Sequence, residues 1–393
     1  MEQFLKNNRW SILAAGCIIQ VFTGIPACWG IFQLGVVEEY AFDPQSTSMV
    51  LSYIIVAFGI GTIIGGKLQD VAGPRITSFI GAALLGGAFI TSSFLPQQQI
   101  IWFYFAFSAP AGLGCGLLYP SVMSCVQKWY SDKKGFATGI IGIAVGASGA
   151  VLTLLVKAIS GNFGMRSCML WIGIIILGCC SLGAVFFQNP AKQPTASKCN
   201  TSQKNYTVLE MLKTPQYYLV FAAVAMAAPT VLLFSPRIIE FCTSRGLSDT
   251  AALWAVPLGS VASSAGRLCM PWVSDKIGRR YTDMIIFAAL GGFSALFWFS
   301  KVYWVLAVYC GLTFFYSAQA AVLPTICTDL YGIQNSGVNY GFLALGMSVG
   351  SLFFPLIANC FSSMELRHIL AIGGSIAGFI CIFFVKPTQG KRL

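Results

Sequence analysis

Residues Val261–Arg280 read VASSAGRLCMPWVSDKIGRR. The first half is apolar and rich in small residues, yet it carries one cation, Arg267. The second half closes in Ser274, Asp275, Lys276, Ile277, Gly278, Arg279 and Arg280, a compact charged turn. At a helical rise of about 1.5 Å per residue, Arg267 stands about 12 Å inside that turn. In a bilayer with a hydrocarbon core about 30 Å thick, this depth is close to the midplane.

Composition decides whether the helix crosses a bilayer. The chain has 393 residues, 56% hydrophobic and 9% charged, whereas soluble domains carry about 25% charged residues. A polytopic helical membrane protein is the class that fits. Apolar runs of span length fall at 10–35, 47–68, 76–95, 98–125, 136–158, 166–188, 216–240, 250–273, 281–300, 302–328, 338–361 and 367–385. They predict an all-α membrane protein of twelve transmembrane helices in two six-helix bundles. One long polar segment, Asn189–Pro215, stands between the sixth and seventh runs. The expected domains are a bundle at 1–188, a cytoplasmic loop at 189–215 and a bundle at 216–393. Residues 11–36 are too long a run for a signal peptide and have the wrong flanks.

The net charge of +11 does not indicate nucleic acid, because the cations sit in short turns between apolar runs and form no basic face. They act as topology signals. With the N-terminus cytoplasmic, Lys and Arg divide between the inner and outer sides in a ratio of about three to one, which predicts both termini inside; the plasma membrane is the expected location. The first outer loop carries Glu38, Glu39 and Asp43. Two glycosylation sequons, at Asn200 and Asn205, are then cytoplasmic and unused. The 14 Cys are scattered mostly inside apolar runs without a CxxC pair, and read as small packing residues. His368 is the only histidine. Neither a metal site nor any other cofactor is expected. An embedded enzyme would need a nucleophile–base pair or a metal cluster in the spans, so no enzymatic activity is expected.

The halves repeat. Gly66-Lys-Leu-Gln-Asp70-Val-Ala-Gly73-Pro74-Arg75 joins the second and third runs, and Val273-Ser-Asp275-Lys-Ile-Gly278-Arg279-Arg280 joins the eighth and ninth. Asp, Gly and Arg keep one mutual spacing in both. The Gly permits a tight reversal, and the Arg can pair with the Asp as a conformational latch, formed by Asp70 and Arg75 in one copy and by Asp275, Arg279 and Arg280 in the other. Lys128-Trp-Tyr130 before Gly135 and Gly139 likewise parallels Asp329-Leu-Tyr331 before Gly337 and Gly341. Repeated six-helix halves mark a secondary transporter of two related bundles, and disfavour a channel.

The doubled turn resembles the loop signature of the major facilitator superfamily. Lys128–Gly139 followed by Gly142, Gly146 and Gly149, Cys28-Trp-Gly-Ile-Phe32, Gly112–Tyr119 and Leu323–Gly332 are similar to the oxalate/formate antiporter-like and monocarboxylate porter-like group. That resemblance covers nearly the whole chain. It implies the major facilitator fold and transport of small carboxylate anions by alternating access, in a protein functional as a monomer whose partners are the substrate and the lipid bilayer.

In the resembled group an arginine at the place of Arg267 binds the carboxylate. A charge at mid-membrane costs about 2.5–3.5 kcal/mol on insertion scales, so it normally faces a water-filled path or a partner. No Asp or Glu stands at the middle of any predicted span. Arginine suits a carboxylate because its planar donors reach both oxygens. The alternative is a cation that snorkels or meets helix-end carbonyls. The resemblance also has departures. Met347 stands where the oxalate exchangers place a lysine, Ser263 stands one turn before Arg267 where the animal-type porters place an acid, and no lysine stands in the first run. These departures favour a monocarboxylate such as formate, lactate or pyruvate, moved by exchange or uniport. The open alternatives are an oxalate/formate-type dicarboxylate exchanger and a non-transporting sensor of the same fold. Only Lys386–Leu393 follows the last run, with no long regulatory tail in view.

Further substrate-binding candidates are Tyr119, Tyr316, Gln319, Met347 and Gln33, since aromatic walls with a few donors suit a small carboxylate. Tyr316 and Gln319 lie one helical turn apart. Interhelical hydrogen bonding is the plainer role for each taken singly. Lys157 and Arg237 are expected at the outer ends of the fifth and seventh spans. Small residues at spacings of three and four, Gly139, Gly142, Gly146 and Gly149 in the fifth run and Gly341, Gly346 and Gly350 in the eleventh, allow close helix contact and sliding.

Overall fold

The computed structural model describes residues 9–131, 133–189, 205–235, 238–361 and 363–386. The sequon at Asn200 and the cation Arg237 lie outside them. The described residues are helical, with no strand among them.

The turns the sequence marks are where the helices change. Helix Pro44–Ala72 starts on Asp43, whose carboxylate accepts a hydrogen bond from the Ser46 amide at 2.8 Å. That acceptor satisfies an otherwise unpaired helix-start donor, and proline at the first position has none to lose. The helix ends at Gly73, φ 89°, and Pro74–Ser93 begins at once. The second copy behaves alike: Ala255–Ile277 gives way at Gly278, φ 94°, to Arg279–Phe299. A positive φ is a conformation that glycine reaches without a Cβ penalty, so both copies reverse on it.

Other spans are interrupted. The first runs as Arg9–Thr23 and Ile25–Tyr40, either side of Gly24. The seventh is divided into Pro215–Ala227, Pro229–Leu232 and Ile238–Ser244, and Pro229 removes a backbone donor at the first of those breaks. The fourth, Ile100–Trp129, contains a π-helical turn at Tyr104–Ser108. The fifth and sixth share the 53-residue helix Lys134–Phe186, with a non-helical break at Gly164, φ 76°. The last three spans are Trp304–Tyr331, Ser336–Phe361 and Met364–Phe384.

Nine of the described helices are long and apolar enough to cross a membrane. The helix of Arg267, Ala255–Ile277, is not one of them, since its serines, glycines and Arg267 dilute the apolar stretch. The first span drops out because its break leaves the shorter apolar helix Arg9–Thr23. The outward sides of several helices expose large apolar residues, among them Ile60, Ile64, Phe353 and Leu356. Those faces suit acyl chains.

By contacts the chain forms two compact units: Met1–Asp132 with Ala147–Gln203 and Gln334–Phe342, and Lys133–Gly146 with Lys204–Ile333 and Leu343–Leu393. In the first, the second and fourth spans are the most closely packed pair. A Cβ added to Gly61 would lie 2.8 Å from the Leu113 carbonyl oxygen, and one on Gly116 2.7 Å from Gly61 Cα. Trp29, Phe32, Phe89, Phe103 and Phe107 fill the aromatic core beside them. In the second unit the corresponding pair, the eighth and tenth spans, is the most closely packed. There Gly266 meets the Phe314 backbone, with 3.1 Å from an added Cβ to Phe314 Cα. His368 is 1% exposed and stacks on Trp298 at 5.3 Å, with Phe234, Phe241 and Phe297 around it. This lone histidine is an aromatic packing element.

The crossing of the second and fourth spans sets a test. Gly116→Leu forces backbones apart and is expected to destabilise the protein by about 1–3 kcal/mol, read as a lowered Tm in detergent; Gly87→Leu, at a glycine with open space around its Cβ direction, leaves Tm unchanged.

Candidate functional site

Arg267 sits half-buried on Ala255–Ile277. The helix is clamped on two sides at this level. Gly266, one residue before, rests on the Phe314 backbone. The glycine face of the fifth span meets the same stretch: an added Cβ would come 2.9 Å from the Leu268 carbonyl at Gly139, 2.7 Å from Arg267 Cβ at Gly142 and 2.8 Å from Ser264 Cα at Gly146. The small residues read from the sequence as a sliding face therefore pack directly against the arginine's own turn. Tyr316 lies within electrostatic reach of the guanidinium. One turn before Arg267, Ser263 and Ser317 share a hydrogen bond of 2.6 Å. Gln319 is 2% exposed on the same helix as Tyr316, and Met347 is half-buried on Ser336–Phe361.

The structure thus brings Arg267 and Tyr316 together and adds a serine pair that sequence reasoning had read only as a missing acid at Ser263. A guanidinium, a phenol and two hydroxyls are donors for an anion. They include no paired nucleophile and base. Among the described residues no group of three or more His, Cys, Asp or Glu is placed to hold a metal.

Tyr119 and Gln33 belong to the first unit. Both are half-buried. Tyr119 stacks on Tyr340 with centroids 5.9 Å apart and an interplanar angle of 21°, and meets Phe58 edge-on at 6.2 Å. Tyr340 was not singled out by sequence reasoning, although it stands beside Gly341 in a repeated motif.

The charged turns differ between their two copies. In the second, Arg279 donates from Nη2 to Asp275 at 2.6 Å and from Nε to Asp329 at 2.9 Å, and also to Ser274 Oγ. Lys134 Nζ, at the start of the fifth span, lies 3.4 Å from Asp329. The Asp275 carboxylate abuts Gly135 at the same helix start. The arginine at the shared spacing, Arg280, instead donates to the Phe383 carbonyl. In the first copy the position of Arg279 is Pro74, and Arg75 is exposed. There Asp70 accepts from the Val338 amide at 3.1 Å, at the start of the eleventh span, where a helix N-terminus favours negative charge. Gly66 and Gly337 meet backbone to backbone beside it, and Ser124 and Ser336 are 3.2 Å apart. Both motif aspartates therefore engage a glycine-marked helix start, Gly135 in one unit and Gly337 in the other.

Comparison with known proteins accords with this architecture. The family model of the Major Facilitator Superfamily matches residues 12–355 and, in a second match, 243–393. The oxalate:formate antiporter of Oxalobacter formigenes is 24% identical over 98% of this chain and 94% of its own length. Monocarboxylate transporter 12 of Xenopus laevis is 22% identical over 89% of this chain and 81% of its own. The solved structure of the proton:xylose symporter XylE with 6-bromo-6-deoxy-D-glucose bound shares the fold at a TM-score of 0.73 and 13% identity, covering 98% of this chain and 97% of that one. With the family match running through most of its length and apolar helices of span length throughout, this chain belongs to the major facilitator superfamily, and is a multi-pass membrane transporter rather than an enzyme.

Proposed function

We propose that the protein moves small monocarboxylate anions, such as formate, lactate or pyruvate, by alternating access, through exchange or uniport, and that Arg267 binds the carboxylate. The observation that carries the reading is the placement of Arg267 on a small-residue helix, seated against Gly142 and within reach of Tyr316. A guanidinium can bond both oxygens of one carboxylate. Tyr316, Gln319, Tyr119, Gln33 and Met347 are proposed as further contacts. The likeness to an oxalate:formate antiporter and a monocarboxylate transporter supports the substrate class. Oxalate/formate-type exchange is the second reading, favoured by that antiporter. Met347 weighs against it, because a dicarboxylate calls for a second cation.

Asp275, Arg279 and Arg280, with Asp70 and Arg75, are proposed as the cytoplasmic latch. The two-bundle division at 1–188 and 216–393 follows from the hydropathy runs, and the cytoplasmic termini from the Lys and Arg distribution; the plasma membrane is proposed as the location. Rocking of two bundles about a central site is the motion this division suits.

Proteoliposomes loaded with individual carboxylates, with and without a pH gradient, test the reading. Trans-stimulated uptake of a monocarboxylate that does not depend on the gradient is expected; uptake only with the gradient would replace exchange by proton symport, and no carboxylate uptake would remove the substrate class. Arg267→Ala is expected to remain inserted and lose at least about 100-fold in uptake, as for a lost charge-assisted contact worth about 3 kcal/mol. Met347→Lys is expected to shift preference toward oxalate; an unchanged profile would take the eleventh span out of the site.

A further inference from the structure

Asp283 lies on Arg279–Phe299, one turn past the charged corner. It is 1% exposed, and neither carboxylate oxygen accepts a hydrogen bond. Burying an acid without partners is costly. The nearby Arg279 is engaged elsewhere, by Asp275, Asp329, Ser274 and the Pro271 carbonyl.

Arg280 is placed differently. It precedes Asp283 by three residues, so the two share a helix face. Its Nη2 donates to the Phe383 carbonyl and its guanidinium lies 5.4 Å from the Phe383 ring centroid. Its Nε is buried without a hydrogen-bond partner. Arg280 and Asp283 border one cavity of about 10 Å³ with Arg279, Val220, Ile326, Ile382 and Val385. A buried donor and a buried acceptor, both unsatisfied, thus line the same small space. Phe383 is in the last turn of Met364–Phe384, where carbonyls lack partners within the helix and favour a cation.

We infer that Asp283 is the second docking point of Arg280. In the state seen here Arg280 ties the ninth span to the C-terminal end of the twelfth through the Phe383 carbonyl. In the other state its guanidinium pairs with Asp283 inside the ninth span and frees the end of the twelfth. The device is confined to the second repeat. In the first copy the residue three positions after Arg75 is Ser78, which offers no charge.

Cys381, half-buried in the last turn of Met364–Phe384, reports the state of that helix end. The test measures the rate at which N-ethylmaleimide labels it in the full-length protein, with every other cysteine replaced. Arg280→Gln removes the tie and raises labelling by about fivefold. Asp283→Asn leaves Arg280 only the Phe383 carbonyl and lowers labelling by a comparable factor, and Asp283→Glu restores the parent rate. The double variant labels as Arg280→Gln does, because Asp283 acts only through Arg280. Asp283→Ser, which copies the first repeat, stands in if Asp283→Asn fails to fold. Labelling that Asp283→Asn leaves unchanged, or shifts by the same factor with and without Arg280, overturns the inference.

Discussion

The structure depends on helices approaching one another at backbone distance. In lipid, apolar side chains gain little by leaving one hydrocarbon environment for another, so helix association rests on close van der Waals contact at small residues. Gly61, Gly65 and Gly116 let the second and fourth spans meet in one unit, and Gly266 does the same for the eighth and tenth in the other. The fifth span adds Gly139, Gly142 and Gly146 against Leu268, Arg267 and Ser264. Arg267 is held at the meeting of these contacts. A longer side chain at Gly142 or Gly266 would move the arginine's backbone before it touched the guanidinium.

The two copies of the charged turn show how one motif diverges. Spacing alone aligns Arg75 with Arg280, yet the ion pairs to two carboxylates in the second unit are made by Arg279, which corresponds to Pro74. Proline leaves Asp70 without that guanidinium, and the carboxylate turns to the Val338 amide at a helix start. The second copy, with two arginines, uses one to join Asp275 and Asp329 and the other to reach the twelfth span.

Much of this was legible in the sequence. Helix number, the reversals at Gly73 and Gly278 and the small faces of the fifth and eleventh spans follow from hydropathy and glycine placement, since both act locally. The break at Gly164 inside Lys134–Phe186 was legible only as a gap between apolar runs. The divided first and seventh spans were not, because a helix interrupted by Gly24 or Pro229 remains a continuous apolar run. At the candidate site Arg267 stood out as a lone cation in a small-residue helix. The pairing of Ser263 with Ser317, the stack of Tyr340 on Tyr119 and the reach of Arg279 to Asp329 did not, because each joins residues far apart in sequence. Asp283 went unnoticed because an acid near a predicted span end reads as an interfacial charge, whereas the fold buries it.

The central claim is that the Arg267 guanidinium receives the carboxylate of the substrate. Equilibrium binding of radiolabelled formate, lactate and pyruvate to the purified protein, beside Arg267→Lys and Arg267→Gln, tests it most directly. The account predicts saturable binding of at least one of them, weakened in Arg267→Lys, which keeps the charge but loses the two-pronged donor, and abolished in Arg267→Gln. Binding of equal affinity in all three proteins would contradict it.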